Sequence, residues 1–104
     1  MTFRTLLASA DEQRFADEVN HQVNPLGASV HVFEQVDTAN NERRYGIVFS
    51  AGPQRLSMFS DSPWHIEPAG SVIVDVRRWL DAANGSDIWT TEPPDDVKRQ
   101  LEHQ

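Results

Sequence analysis

Three short segments in the middle of the chain alternate apolar and polar residues, and this pattern constrains the fold more than any other feature. The segments span residues 29–36, 44–50 and 54–60. A period of two predicts β-strands with their apolar side chains on one face. The polar stretch DTANNER joins the first two segments, and Ala51-Gly52-Pro53 joins the second pair. Such short connections predict a three-stranded antiparallel meander.

A helix is predicted immediately before the meander, from Ser9 to Val23. Ser9 and Glu12 have the S-x-x-E spacing of a capping box, in which each side chain binds the backbone N–H of the other residue. Apolar residues then recur at every fourth position, and this stripe consists of Phe15, Val19 and Val23. The spacing indicates an amphipathic helix whose outer face is predominantly anionic.

The segment from Ser71 to Asn84 fits two interpretations at its start. Valines at 72, 74 and 76 alternate as they would in a strand. A helical stripe instead connects Val72, Val76, Trp79, Leu80 and Ala83. We favour the helix, because Gly70-Ser71 before this segment and Asn84-Gly85 after it are typical of a helix cap and a helix stop.

A short third helix is predicted near the C-terminus, where Pro94 suits a first helical turn. Asp95 and Asp96 would lie at its positive end, and Val97 and Leu101 would form a thin apolar edge. The sequence thus predicts a single α+β domain over residues 1–104. Its predicted elements are an N-terminal helix, a three-stranded antiparallel meander, a second helix and a short C-terminal helix.

The chain is acidic, and its negative charge is concentrated. Sixteen acidic and nine basic residues give a formal charge of −7, and the stretch from Ser9 to Glu42 has seven acids and one base, a local charge of −6. Such a field repels phosphate backbones and attracts basic proteins. We therefore predict a basic protein partner and no direct nucleic-acid binding. The predicted partner-binding residues are Asp11, Asp17, Glu18, Glu34, Asp37 and Glu42.

The sequence lacks the residue patterns that carry catalysis or bind cofactors. The chain has no cysteine, and its four histidines, at positions 21, 31, 65 and 103, are too far apart for a compact metal motif. Its five isolated glycines form neither a phosphate-binding loop nor a dinucleotide-binding motif. No serine lies in a nucleophile elbow. We predict no catalytic residue, no metal site and no cofactor.

Apolar runs are short throughout the sequence. None reaches the roughly 18 residues of a membrane span. The N-terminal residues also lack the apolar segment of a secretory signal. We therefore expect a cytoplasmic protein that does not associate with membranes.

A loop at residues 61–67 contains a local cluster of side chains that could bind a ligand. It combines Trp64 and His65 with the carboxylates of Asp61 and Glu67. His65 could act as an acid or a base, with a carboxylate orienting its ring. The structural alternative, which we favour, is that Trp64 and Ile66 anchor the loop to the core while its charged groups stay in water.

Together these features favour a non-enzymatic acidic binding protein. Small acidic proteins of bacteria and phages include toxin immunity proteins and inhibitors, some of which mimic nucleic acid by placing carboxylates where phosphates would lie. The leading hypothesis is an inhibitor or immunity-type protein that covers a basic surface of a protein partner. Two alternatives stay open. One is a small ligand-binding domain or enzyme that uses the Trp64–His65 loop, and the other is a structural subunit of a homodimer or larger homo-oligomer.

Overall fold

An antiparallel sheet and two helices form the fold, which the computed structural model describes for residues 3–83 together with residues 97 and 99. The elements follow the chain in the order β1 (Phe3–Leu7), α1 (Ala10–Val23), β2 (Ser29–Asp37), β3 (Arg43–Ala51), β4 (Gln54–Ser60) and α2 (Ala69–Ala83). Two short 3₁₀ turns, Asn24–Leu26 and Trp64–Ile66, follow α1 and precede α2. This order confirms the predicted α+β class.

The described strands form one sheet in the order β1-β2-β3-β4, with every neighbouring pair antiparallel. Strands β2, β3 and β4 are the predicted meander, in which Ile47 lies opposite both Val32 and Met58. The sheet has four strands rather than the predicted three, because β1 also pairs with β2. β1 pairs with the second half of β2, from Phe3 opposite Asp37 to Leu7 opposite Phe33.

Both predicted long helices are present. α1 begins after Ser9, whose hydroxyl accepts the N–H of Glu12 at 3.2 Å. α2 begins at Ala69 and is helical through the valines that fitted two interpretations as far as Ala83, so Gly70 and Ser71 lie inside its first turn and the prediction that they cap it is wrong. Within the described residues its buried side chains lie on the predicted helical stripe: Val72, Val76 and Trp79. The predicted stop at Asn84-Gly85 lies outside the described residues. In the predicted C-terminal helix, Val97 and Arg99 are helical, and the other residues lie outside the part of the chain that the structure describes.

The main core lies between the two helices and one face of the sheet. Its principal side chains are Phe15, Val19 and Val23 from α1, Val30, Val32, Ile47 and Phe49 from the sheet, and Val72, Val76 and Trp79 from α2. These positions follow the helical and strand periods, so each element presents one apolar face. Burial of one such side chain contributes about 1.5–3 kcal/mol.

A smaller cluster lies on the opposite face of the sheet and consists of Phe33, Val48 and Val97. The Phe33 ring lies over Gly46 of β3, where an added Cβ would be 2.2 Å from the ring. Arg44 stacks between Phe3 and Phe59, with its guanidinium carbon 3.9 Å from each ring centroid. Gly46 is needed because the Phe33 ring occupies the space that a side chain would take.

Candidate functional site

The outer side of α1 exposes three of the six predicted partner-binding carboxylates. Asp11, Asp17 and Glu18 are all exposed there, and Arg14 is the base among them. Arg14 forms an ion pair with Asp11. Asp17 and Glu18 form no ion pair with any other described residue. We call these four residues the acidic face of α1, and Asp17 and Glu18 give it its unneutralised charge.

The remaining three predicted carboxylates differ in exposure. Glu42 is exposed in the connection between β2 and β3. Glu34 and Asp37 are only 5% and 2% exposed, so the expectation that they form part of an outward-facing charged surface is corrected. Both are engaged internally: Glu34 Oε1 accepts a hydrogen bond from Arg43, and Asp37 Oδ1 accepts the N–H of Ala39. Burial of a carboxylate requires such partners.

The N-terminus of α1 is capped by the side chains of Ser9 and Glu34 rather than by the predicted pair, Ser9 and Glu12. Ser9 Oγ accepts the Glu12 N–H, but the Ser9 N–H is bound by Glu34 Oε2 of β2 at 3.0 Å. The long-range carboxylate therefore takes the place that Glu12 has in a capping box. This arrangement ties the start of α1 to the sheet and leaves the Glu12 side chain available for another partner.

The buried side chain of Glu12, on α1, binds His65 of the Trp64–His65 loop. Its side chain is 1% exposed, and its Oε1 accepts the His65 backbone N–H at 2.7 Å and lies 2.5 Å from His65 Nδ1. Its Oε2 is buried without a hydrogen-bond partner in the described structure. A carboxylate does orient His65, as the ligand-binding hypothesis requires, but it comes from α1 and not from the loop. The sequence contained a signal, because Glu12 continues the apolar stripe at i, i+4 and i+7 through Ala16 and Val19.

The loop is anchored by Trp64 but not by Ile66. Trp64 is partly buried against the main core, and its indole N–H donates to the Tyr45 carbonyl at 3.2 Å. Ile66 is 61% exposed, so its predicted anchoring is wrong. The His65 side chain is 32% exposed. The loop thus holds a half-buried imidazole between a core anchor and a buried carboxylate.

A cleft of about 320 Å³ lies between α1 and β2, and we call it the α1–β2 cleft. Its lining includes Leu7, Gln13, Asp17, Asn20, Val30 and Val32. The cleft exists because β1 ends at Leu7, opposite Phe33, and does not continue along the first residues of β2. Asn20 occupies part of this gap. Its amide accepts the Val30 N–H at 2.7 Å and donates to the Val30 carbonyl at 3.0 Å.

Comparison with known proteins identifies no relative. A scan against protein-family models, a search of curated proteins and a search of solved structures each return no match. Within the described residues, no group of three or more His, Asp or Glu side chains could hold a metal ion. No helix in the same part of the chain is long and apolar enough to span a membrane.

Proposed function

We propose that this chain is a non-enzymatic binding protein that covers a basic surface of a protein partner, as inhibitors and immunity-type proteins do. The observation that supports the proposal is the acidic face of α1. It combines two carboxylates that have no ion-pair partner in the described structure with a third that is paired to Arg14. From Asp11 to Glu18 this face extends roughly 10 Å along the helix.

The acidic face and Glu42 would act first on the rate of association. Exposed carboxylates attract a basic partner over about one Debye length, so the complex forms faster at low salt. At the interface they would pair with Lys or Arg side chains, and on a partner that binds nucleic acid they would take the positions of phosphates. Affinity would also need desolvated anchor residues near the centre of the interface.

Affinity capture from the native host, followed by kinetic measurements on the captured protein, tests this proposal. The test variant is Asp17→Asn/Glu18→Gln. The matched control is Glu67→Gln/Asp75→Asn, which changes the net charge equally at exposed positions outside α1. We expect the test variant to slow association with a basic partner more than the control does, and the difference to shrink at high salt. Equal rates at low and high salt, or equal effects of the two variants, would overturn the proposal.

The geometry around His65 supports a second candidate, a ligand-binding or catalytic loop. With Glu12 Oε1 at 2.5 Å from Nδ1, neutral His65 carries its proton on Nδ1 and keeps Nε2 as an acceptor. An imidazole held in one tautomer by a carboxylate can accept a proton from a substrate. The Trp64 anchor would fix the backbone on which this ring is mounted.

A thermal-shift screen of small metabolites against the wild-type chain and His65→Ala tests the second candidate. A compound that stabilises only the wild-type chain would support it. Asp61→Asn is the matched control, since it alters an exposed residue of the same loop. If every compound acts equally on all three proteins, the loop has no ligand-binding function of this kind.

Homodimer formation and a cytoplasmic location remain predictions from the sequence. Among the residues that the structure describes, the large exposed apolar ones lie on different elements and are Leu7, Leu26, Phe59, Ile66 and Val74. Sedimentation velocity across a range of protein concentrations tests the homodimer prediction, because a self-associating chain would sediment faster as concentration rises.

A further inference from the structure

We propose that the α1–β2 cleft receives one lysine or arginine side chain of the protein partner. This inference rests on the proposed function and places a specific contact within it. The cleft adjoins the acidic face of α1, because Asp17 belongs to both. A cation steered to the face would thus find a recess beside it.

The walls of the cleft are already formed. Val30 and Val32 are buried in the main core and are fixed by their pairing with β3. Asn20 fixes the open edge of β2 through both polar groups of its amide. A recess that needs no rearrangement avoids much of the ordering entropy of binding.

The polar lining of the cleft favours a cation. Asp17 contributes an exposed carboxylate that forms no ion pair within the described structure. Gln13 donates its Nε2 to the Ala8 carbonyl at 2.8 Å, which leaves its Oε1 as an acceptor. His31 also lines the cleft, but its ring stacks with Phe33 of the cluster on the opposite face of the sheet, at a centroid distance of 6.4 Å. No Lys or Arg is among the lining residues.

The apolar lining favours a long side chain over a simple ion. Leu7 is 77% exposed at the cleft, the highest exposure among the large apolar residues in the described part of the chain. The alkyl stems of Lys and Arg pack on such surfaces while their charged ends stay near water. A volume of about 320 Å³ is also at the lower end of the range for small-molecule sites, in accord with a single side chain.

Amide NMR spectra of the full chain, titrated with N-acetyl-lysine amide, test the inference directly. The same titration with N-acetyl-norleucine amide, which has an alkyl side chain and no charge, is the matched ligand control. We expect saturable shifts at Gln13, Asp17 and Val32 with the lysine compound alone. Equal shifts with both compounds, or shifts spread over all exposed carboxylates, would overturn the inference.

Two variants that each remove one negative charge distinguish binding in the cleft from general attraction to exposed carboxylates. Asp17→Asn should weaken binding of the lysine compound about two- to fivefold, the usual effect of losing an exposed ion pair. Glu18→Gln changes the next residue, which does not line the cleft, and should have a smaller effect. Equal weakening by both variants would refute the cleft as the binding site.

The same variants distinguish failure of this inference from failure of the proposed function. If a basic partner associates in a salt-dependent manner but Asp17→Asn and Glu18→Gln slow it equally, the proposed function stands and the cleft contact is wrong. If the lysine compound binds the cleft and no basic partner is found, the cleft binds cations and the proposed function is wrong.

Discussion

Replacement of Asn20 by Ala removes the side chain that substitutes for a neighbouring strand at the start of β2. The amide makes two hydrogen bonds to the Val30 backbone, at 2.7 and 3.0 Å. Each hydrogen bond of this kind contributes about 0.5–1.5 kcal/mol, so the pair contributes about 1–3 kcal/mol. Alanine regains roughly 0.5 kcal/mol through its better helix propensity. The expected net loss in the free energy of unfolding is about 0.5–2.5 kcal/mol.

Urea unfolding followed by tryptophan fluorescence measures this loss, provided that the m-value is unchanged. In thermal unfolding the same loss corresponds to a Tm lower by roughly 2–12 °C for a domain of this size. Hydrogen exchange at the Val30 amide should also become faster in Asn20→Ala, because that N–H loses its acceptor.

Gln22→Ala is the matched control for Asn20→Ala. Gln22 is exposed in the last turn of α1, and its replacement also raises helix propensity. We expect the free energy of unfolding of the control to lie within about 0.5 kcal/mol of that of the wild-type chain, as is usual for exposed substitutions. If Asn20→Ala is as stable as Gln22→Ala, the Asn20 amide neither stabilises the open edge of β2 nor holds this wall of the α1–β2 cleft rigid.

Two further predictions concern the sheet. Gly46→Ala should lower the free energy of unfolding by about 1–3 kcal/mol, because its Cβ would be 2.2 Å from the buried Phe33 ring. The same change in a Phe33→Ala background should lower this free energy much less. Additive effects of the two changes in urea unfolding would contradict the steric explanation. Glu34→Gln should lower the free energy of unfolding by about 1.5–3 kcal/mol, because it weakens the charge-assisted hydrogen bonds from Ser9 and Arg43. An unchanged urea midpoint would show that these bonds do not hold α1 to the sheet.

The local patterns predicted most of the fold because each was strong within its own segment. Alternation identified β2, β3 and β4, and the stripe through Phe15 and Val19 identified α1. β1 was missed for the opposite reason. It is five residues long, and its pairing partner is the far half of β2, so its formation depends on a contact that no local pattern contains.

The candidate site is harder to predict than the fold, because residue type alone does not determine whether a side chain is exposed. Glu34 falls on the same face of β2 as Val30 and Val32, so the alternation that identified the strand also placed this carboxylate toward the covered face. Glu12 likewise lies on the apolar stripe of α1. An acidic residue at a position where the strand or helix pattern calls for an apolar one indicates that its carboxylate has a partner inside the fold. Only tertiary structure could reveal which partners these are, Ser9 and Arg43 for Glu34 and His65 for Glu12.

The carboxylates of the segment from Ser9 to Glu42 therefore fall into two sets with different physical effects. Those that turn inward are Glu12, Glu34 and Asp37, and each accepts hydrogen bonds inside the fold. Those that turn outward are Asp11, Asp17, Glu18 and Glu42. Neutralising an inward carboxylate should reduce stability, because its donors lose a charged acceptor in a dry environment. Neutralising an unpaired outward carboxylate should change stability by no more than about 0.5 kcal/mol, so the proposed partner surface can be altered without unfolding the domain.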